Sequence, residues 1–396
     1  MKSIILDFVD LFKREPLILF LLCWLLLSGT KLSTYAVLIL VPYVLTDEEK
    51  SRGIDGMFFL ILSYSVIYAL YTYVNGYYAV ALGNLFFQSL YPPLFYLLGK
   101  YLVKTNEIDS IYWIFLILVG LISIPVFIDV INDIKTNQFI NPTRLIERAD
   151  GSKTSSATNI GIRVSLVVAS VGVVMGKCNS FNERFFTIVF FILSILGIIC
   201  VFHLINRTGV IVAGVSVILV FLLNIRVIPP KNIVLMVLLL IILSVFYIPK
   251  MQLFSEIDAA YLERNEGVSS TSTAGGRVDL WTKGVKDLYK NPFGIDKSKF
   301  SYYSHNYWLD TNIRGGIIAF IFLLVITFKH VLNSIYIIRG FRPCLLRTLV
   351  ITCNVGFLFT GAVEPIMEGF MVYVFMLFFF IGMVRELRVS GEVFEI

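Results

Sequence analysis

Long apolar runs constrain this chain more than any other feature. Stretches of about a dozen to twenty residues without a charge recur from one end of the sequence to the other. A helix needs about 20 apolar residues to cross the roughly 30 Å hydrocarbon core of a bilayer. Only helices and closed barrels satisfy their backbone groups there. The runs fall near 16–29, 34–46, 54–74, 79–99, 110–130, 158–176, 185–203, 209–224, 232–249, 314–333, 345–362 and 367–385. An all-α, polytopic bundle of about twelve transmembrane helices is therefore expected, its first two segments short enough to form one bent re-entrant pair. Composition agrees: 57% of residues are hydrophobic, 15% are charged, and the mean hydropathy is +0.83. A soluble domain carries about 45–50% apolar and about 25% charged residues. The first apolar run leads straight into further segments without a small-residue cleavage pattern, so no removable leader is expected.

Basic residues set the expected orientation. With the N-terminus inside, the inner turns carry Lys50 and Arg52, Lys100 and Lys104, Lys177 and Arg184, Arg226 and Lys231, then Lys329, Arg339, Arg342 and Arg347. The short turns on the other side hold only Lys31 and Arg207. That bias places both termini in the cytoplasm. It also accounts for the net charge of +6 without an acidic partner. Nothing in the sequence has the pattern of a nucleic-acid-binding protein. Cys23, Cys178, Cys200, Cys344 and Cys353 lie in or beside apolar segments, as small buried residues rather than a disulfide framework or metal site.

Three regions follow: helices one to nine over 1–249 with an outer loop near 131–157, a large outer loop over 250–313, and helices ten to twelve over 314–396. Loops this long are usually functional or disordered. Within the large loop, Phe254, Ile257 and Tyr261 recur at helical spacing, as do Val278, Trp281, Val285, Leu288 and Tyr289, with Asn291-Pro292-Phe293-Gly294 as a stop. Two amphipathic helices at the membrane surface are expected, joined by a Ser/Thr/Gly-rich stretch from Gly267 to Gly276.

Charged residues beside the spans are the candidates for chemistry, because a charge in the membrane is costly and normally faces a cavity or a partner. Arg207, in the turn Asn206-Arg207-Thr208-Gly209, is either an anion-binding group at a helix N-terminus or a snorkelling turn residue. Arg277 opens the second amphipathic helix, where the dipole favours an acid, so it is either structural or a second phosphate clamp. His305, in Ser304-His305-Asn306-Tyr307-Trp308, is either a proton carrier or a polar residue at a helix start capped by Ser304. His203 is a lesser candidate and His330 is expected to be structural. Arg163, near the outer end of its span, either joins a cationic cluster or forms an internal ion pair. Glu364 and Glu368 flank Pro365, and Glu364 either orients His305 or belongs to a solvated turn.

These motifs, in this order, resemble the O-antigen ligase/polymerase family of bacterial polysaccharide assembly. The likeness rests on Arg207-Thr208-Gly209 between consecutive spans, then Gly276-Arg277 with Trp281, Asn291-Pro292 with Gly294, His305-Asn306 with Leu309, and Gly315 to Ile318 opening the next span. It covers about 190–325; the remainder matches only in span count. The resemblance implies a glycosyltransferase without metal or cofactor, acting on an oligosaccharide carried by undecaprenyl diphosphate. By position, Arg207 and Arg277 would hold the diphosphate and His305 would assist the acceptor hydroxyl. Arg163, Asn306 and Glu364 would line the substrate site, with Trp281 and Tyr303 among the aromatics that stack on sugar faces. Implied partners are membrane lipids and the chain-length regulator and flippase of the same pathway. Polymerase and ligase are not cleanly separated; the Phe- and Tyr-rich composition, 34 and 20 residues, favours a polymerase. A flippase or transporter shares the layout, but no internal repeat is visible.

Overall fold

The computed structural model describes residues 2–28, 39, 43, 53–77, 82–136, 141, 144–147, 154–227, 277–300, 302–368 and 370–391. The expected segments 34–46 (apart from Ile39 and Tyr43) and 232–249, the helix around Phe254 to Tyr261 and the stretch Gly267 to Gly276 lie outside them. The chain is helical: α1 (Lys2–Arg14), α2 (Pro16–Ser28), α3 (Gly56–Val74), α4 (Leu82–Lys104), α5 (Ile108–Gly120), α6 (Ile124–Thr136), α7 (Ala157–Ala169), α8 (Phe181–His203), α9 (Arg207–Asn224), α10 (Arg277–Lys290), α11 (Tyr307–Gly340), α12 (Leu345–Asn354), α13 (Thr360–Val363) and α14 (Met371–Gly391). The described strands are β1 (Leu145–Glu147) and β2 (Thr154–Ser156), an antiparallel pair in the expected 131–157 loop.

Among the described residues, seven helical segments are long and apolar enough to cross a membrane: Gly56–Val74, Ile108–Thr136, Ala157–Met175, Phe181–His203, Arg207–Asn224, Tyr307–Gly340 and Leu345–Val363. This is a membrane protein by its helices. Large apolar side chains such as Phe59, Ile188, Ile218, Leu222 and Phe328 point outward. A soluble bundle would place polar residues there. Two expected spans exist as long helices of lower apolar character. In α4, Gln88, Ser89 and Pro92-Pro93 dilute the run, and α14 ends in Arg385, Glu386 and Arg388. The run expected at 314–333 is a 34-residue helix broken at Gly316, whose φ of 75° and ψ of 173° leave the helical region. The N-terminal helix α1 was not expected. It buries Ile4 and Leu11, and its Ile4 carbonyl accepts from the Trp113 indole at 3.2 Å.

The described chain forms two compact units. The first comprises Met1–Leu121, Gly276–Arg342 and Phe357–Ile396. Its centre is α3, α4, α11 and α14. Gly99 and Gly382 let α4 and α14 approach backbone to backbone. A Cβ at Gly99 would sit 2.0 Å from the Phe379 carbonyl oxygen, and one at Gly382 would sit 2.1 Å from that of Tyr96. Small residues at such crossings are how membrane helices gain close contact without a hydrophobic driving force. Tyr91, Phe95, Phe115, Phe375 and Phe380 fill the remaining space.

The second unit comprises Ile122–Gly275 and Pro343–Gly356. In it α7, with its 3-10 extension Ser170–Met175, packs against α8, α9 and α12. Gly209 admits Val201 at the α8–α9 contact. His203 meets Asp133 at 2.7 Å, and Asn141 donates to the same carboxylate oxygen at 2.9 Å, which ties α6 to α8.

Candidate active site

The candidate site of the first unit is assembled by three segments. The first is α10, the expected amphipathic helix, ending where Asn291-Pro292-Phe293-Gly294 stops it. It turns Arg277, Leu280, Trp281, Gly284, Asp287 and Leu288 toward the unit, while Val278, Val285 and Tyr289 face outward. At Gly284 the helix lies close enough to the His305 region for a Cβ to meet Leu309 at 3.2 Å and Ser304 at 3.4 Å. The Asp287 carboxylate accepts from Asn291 Nδ2 at 3.1 Å and from the Tyr302 hydroxyl. Burial and that carboxylate push the Tyr302 phenol up.

The second segment is the turn before α11. His305 adopts a left-handed φ of 55°, uncommon for a residue with a side chain. Strain of this kind persists where neighbours enforce it, and here they are visible. Asn306, not Ser304, caps α11: its Oδ1 accepts from the Leu309 N–H at 3.1 Å. Ser304 serves the buried Asp310 carboxylate instead, through its N–H and its hydroxyl, both at 2.7 Å.

The third segment follows α13. Asn306 Nδ2 donates to the Ala362 carbonyl at 3.2 Å, which joins the histidine turn to the Glu364 turn. Glu364 is 3% exposed, so it is not part of a solvated turn. Its Oε1 accepts from Arg277 Nη2 at 3.1 Å. Arg277 is also an electrostatic neighbour of His305. Burial first, and the Arg277 charge second, hold the imidazole below the usual histidine range. The ring is neutral at pH 7, and its Nδ1 is buried with no hydrogen-bond partner in the described structure. The Trp281 indole Nε1, one turn along α10 from Arg277, is likewise buried without a partner.

Arg314 is a residue that sequence reading passed over, taken only as the first residue of a span. Its Nη2 donates to the Tyr303 hydroxyl at 2.7 Å, and its guanidinium lies 5.0 Å from the centre of the Tyr77 ring. Tyr303 is thereby held as a partner of Arg314. The break at Gly316 is clasped by the Asn-Pro-x-Gly turn. Ile317 N–H donates to the Pro292 carbonyl at 2.8 Å, and Ile295 N–H to the Ile313 carbonyl at 2.7 Å. Asn75 Nδ2 donates to Phe293 and Arg314 carbonyls at 2.9 and 3.1 Å. The two glycine-containing motifs therefore form one structural device.

Arg277, Glu364, His305, Asn306, Trp281 and Tyr303 all belong to the first unit; Arg207 and Arg163 belong to the second. There Arg207 is the first residue of α9, behind the cap Asn206, whose Oδ1 accepts from Gly209 N–H at 3.0 Å. Arg163 lies midway along α7 and is partly exposed. No protein-family model matches the chain, and no curated protein does.

Proposed function

We propose that the protein is a polysaccharide-assembling glycosyltransferase of the bacterial inner membrane, acting as an O-antigen polymerase. The observation that carries this is the convergence of Arg277, Glu364 and a neutral His305 at one end of an apolar helix bundle. In the proposed reaction the acceptor hydroxyl of one lipid-linked repeat attacks the anomeric carbon of another. The new C–O bond forms as the bond to the diphosphate oxygen breaks. The departing undecaprenyl diphosphate takes the electron pair, and the hydroxyl proton passes to the His305 imidazole. A fixed guanidinium beside the leaving group offsets the charge that builds there. Arg277 supplies it in the first unit. Glu364 orients Arg277, and Trp281 and Tyr303 contact sugar.

A small apolar crevice lined by Tyr307, Trp308, Leu323, Tyr373, Leu377 and Ile381 adjoins the histidine turn. The proposal includes twelve crossings, both termini in the cytoplasm, and the 250–313 region in the periplasm, with the chain-length regulator and flippase of the pathway as partners. One observation favours a second reading as a lipid-linked-oligosaccharide flippase: α11 is broken at Gly316 beside the buried Asp310, Asn312 and Arg314. Broken helices with polar residues mark transport sites.

Purified protein in detergent has no bilayer to move a substrate across. Polymer formed there from lipid-linked repeats supports the transferase; its absence, with flipping by the same preparation in vesicles, overturns it. A deletion strain separates polymerase from ligase. Core bearing a single repeat marks a lost polymerase, and bare core with accumulated lipid-linked polymer marks a lost ligase.

A further inference from the structure

The N-terminal end of the 19-residue α3, in the first unit, carries a second charged cluster. Asp55 caps α3 there, its Oδ1 accepting from the Met57 and Phe58 N–H groups at 3.0 Å. Its Oδ2 meets Lys100 at 3.0 Å and Arg385 at 3.4 Å, and Tyr96 donates to it at 2.9 Å. Lys100 also lies 3.8 Å from Glu386. Arg388 Nη1 donates to Asn333 Oδ1 at 2.7 Å, with its guanidinium 4.9 Å from the Tyr336 ring centre. Beside this cluster a cleft of about 270 Å³ is lined by Gly56, Met57, Lys329, Asn333, Arg385 and Arg388, together with Leu332.

The charges do not balance. Lys100, Lys329, Arg385 and Arg388 face two carboxylates, Asp55 and Glu386, and both of those are engaged by Lys100. Among the described residues no carboxylate lies within ion-pairing distance of Lys329 or Arg388. Three cations converging on one cleft repel one another unless an anion lies between them. Gly56 and Met57, at the start of α3, form another wall. Among the described residues Arg388 gives one N–H donor to Asn333, and the rest of its planar fork has a geometry suited to two oxygens of one phosphate. Phe328 and Leu332, 64% and 46% exposed, place apolar surface on the same stretch of α11 as Lys329.

We propose that this cleft binds a phosphate group, held by Lys329, Arg385 and Arg388. An anionic phospholipid headgroup and a free phosphate share that chemistry, and the exposed apolar side chains nearby would receive acyl chains in the first case. The site is independent of the transfer chemistry at His305. Basic pockets between membrane helices take anionic headgroups in this manner.

The test uses the purified full chain in a neutral detergent. Thermal unfolding is followed by tryptophan fluorescence while short-chain phosphatidylglycerol, inorganic phosphate or short-chain phosphatidylcholine is added. Phosphatidylglycerol is expected to raise Tm and phosphatidylcholine to leave it unchanged. A matching rise with inorganic phosphate assigns the cleft to free anions; a rise with the lipid alone assigns it to headgroups. Lys329→Gln and Arg388→Gln should each weaken the response about fivefold. Lys329 is exposed and has no ion pair among the described residues, so its variant is expected to fold as the parent does. If neither anion raises Tm, or if Lys329→Gln and Arg388→Gln both respond as the parent does, the proposal is overturned.

Discussion

Arg277 places a positive charge beside an imidazole that must be neutral to accept a proton. Burial and that charge both disfavour imidazolium and hold the His305 pKa below its ordinary range. Replacing Arg277 by Gln removes the second cause. The His305 titration, followed by NMR of labelled imidazole, should then move to higher pH; an unmoved titration would separate the two side chains. The sign for stability follows. A histidine whose folded pKa is depressed costs stability as pH falls below about 6.5, where the unfolded chain binds the proton first, and costs nothing above it. Transfer activity should likewise fall on the acid side as His305 protonates. Arg277→Ala leaves the Glu364 carboxylate buried without that partner. Breaking a fully buried pair costs about 3–5 kcal/mol. With Arg277 24% exposed, about 2–3 kcal/mol is expected. Glu364→Gln keeps an acceptor for the guanidinium and should cost less, as thermal unfolding in detergent would measure.

Among the elements, α10 and its stop could be read from the chain because their signals are local: a 3.6-residue apolar repeat, then Asn-Pro-x-Gly. The histidine turn was legible as a helix start, yet its cap is two residues later than Ser304, because Ser304 is claimed by Asp310. The pairing of Arg277 with Glu364 spans 87 residues and leaves no periodicity to detect. Nor does the clasp between Pro292 and Ile317, although both glycine-containing motifs were conspicuous. That clasp makes Gly316 a sharp test. A Cβ there would lie 2.7 Å from the Pro292 carbonyl oxygen, at a φ of 75°. Gly316→Ala should cost about 2 kcal/mol or more, from backbone strain of roughly 1–2 kcal/mol plus the clash. Gly214, mid-α9 with open space around its Cβ position, is the control. Gly214→Ala should be neutral or stabilise by up to about 1 kcal/mol. Equal Tm values for Gly316→Ala and the parent would mean that the break is not held as described.

For the molecule as a whole, apolar run length gave the membrane character and most helix positions. The expected segments 79–99 and 367–385 are the long helices α4 and α14, whose buried polar residues, Gln88, Lys100 and Glu386 among them, serve the interior of the first unit. Lys100, first read as a marker of sidedness, is a structural partner of Asp55, as is Arg385. Their presence at one end and Arg277, Glu364 and His305 at the other gives the first unit two chemically distinct ends. The proposed orientation puts the His305 end in the periplasm. Single cysteines at Tyr289 and Val389, both exposed, check this in cells. An impermeant maleimide should label the first and not the second, and the reverse pattern would invert the topology.

The most direct measurement is polymer formation by purified protein supplied with lipid-linked repeat units in detergent, comparing the parent with His305→Ala and Arg277→Ala. Polymer is expected from the parent and none from either variant, with both variants inserted in the membrane and recovered in folded form. Full activity in both would contradict the assignment of this site.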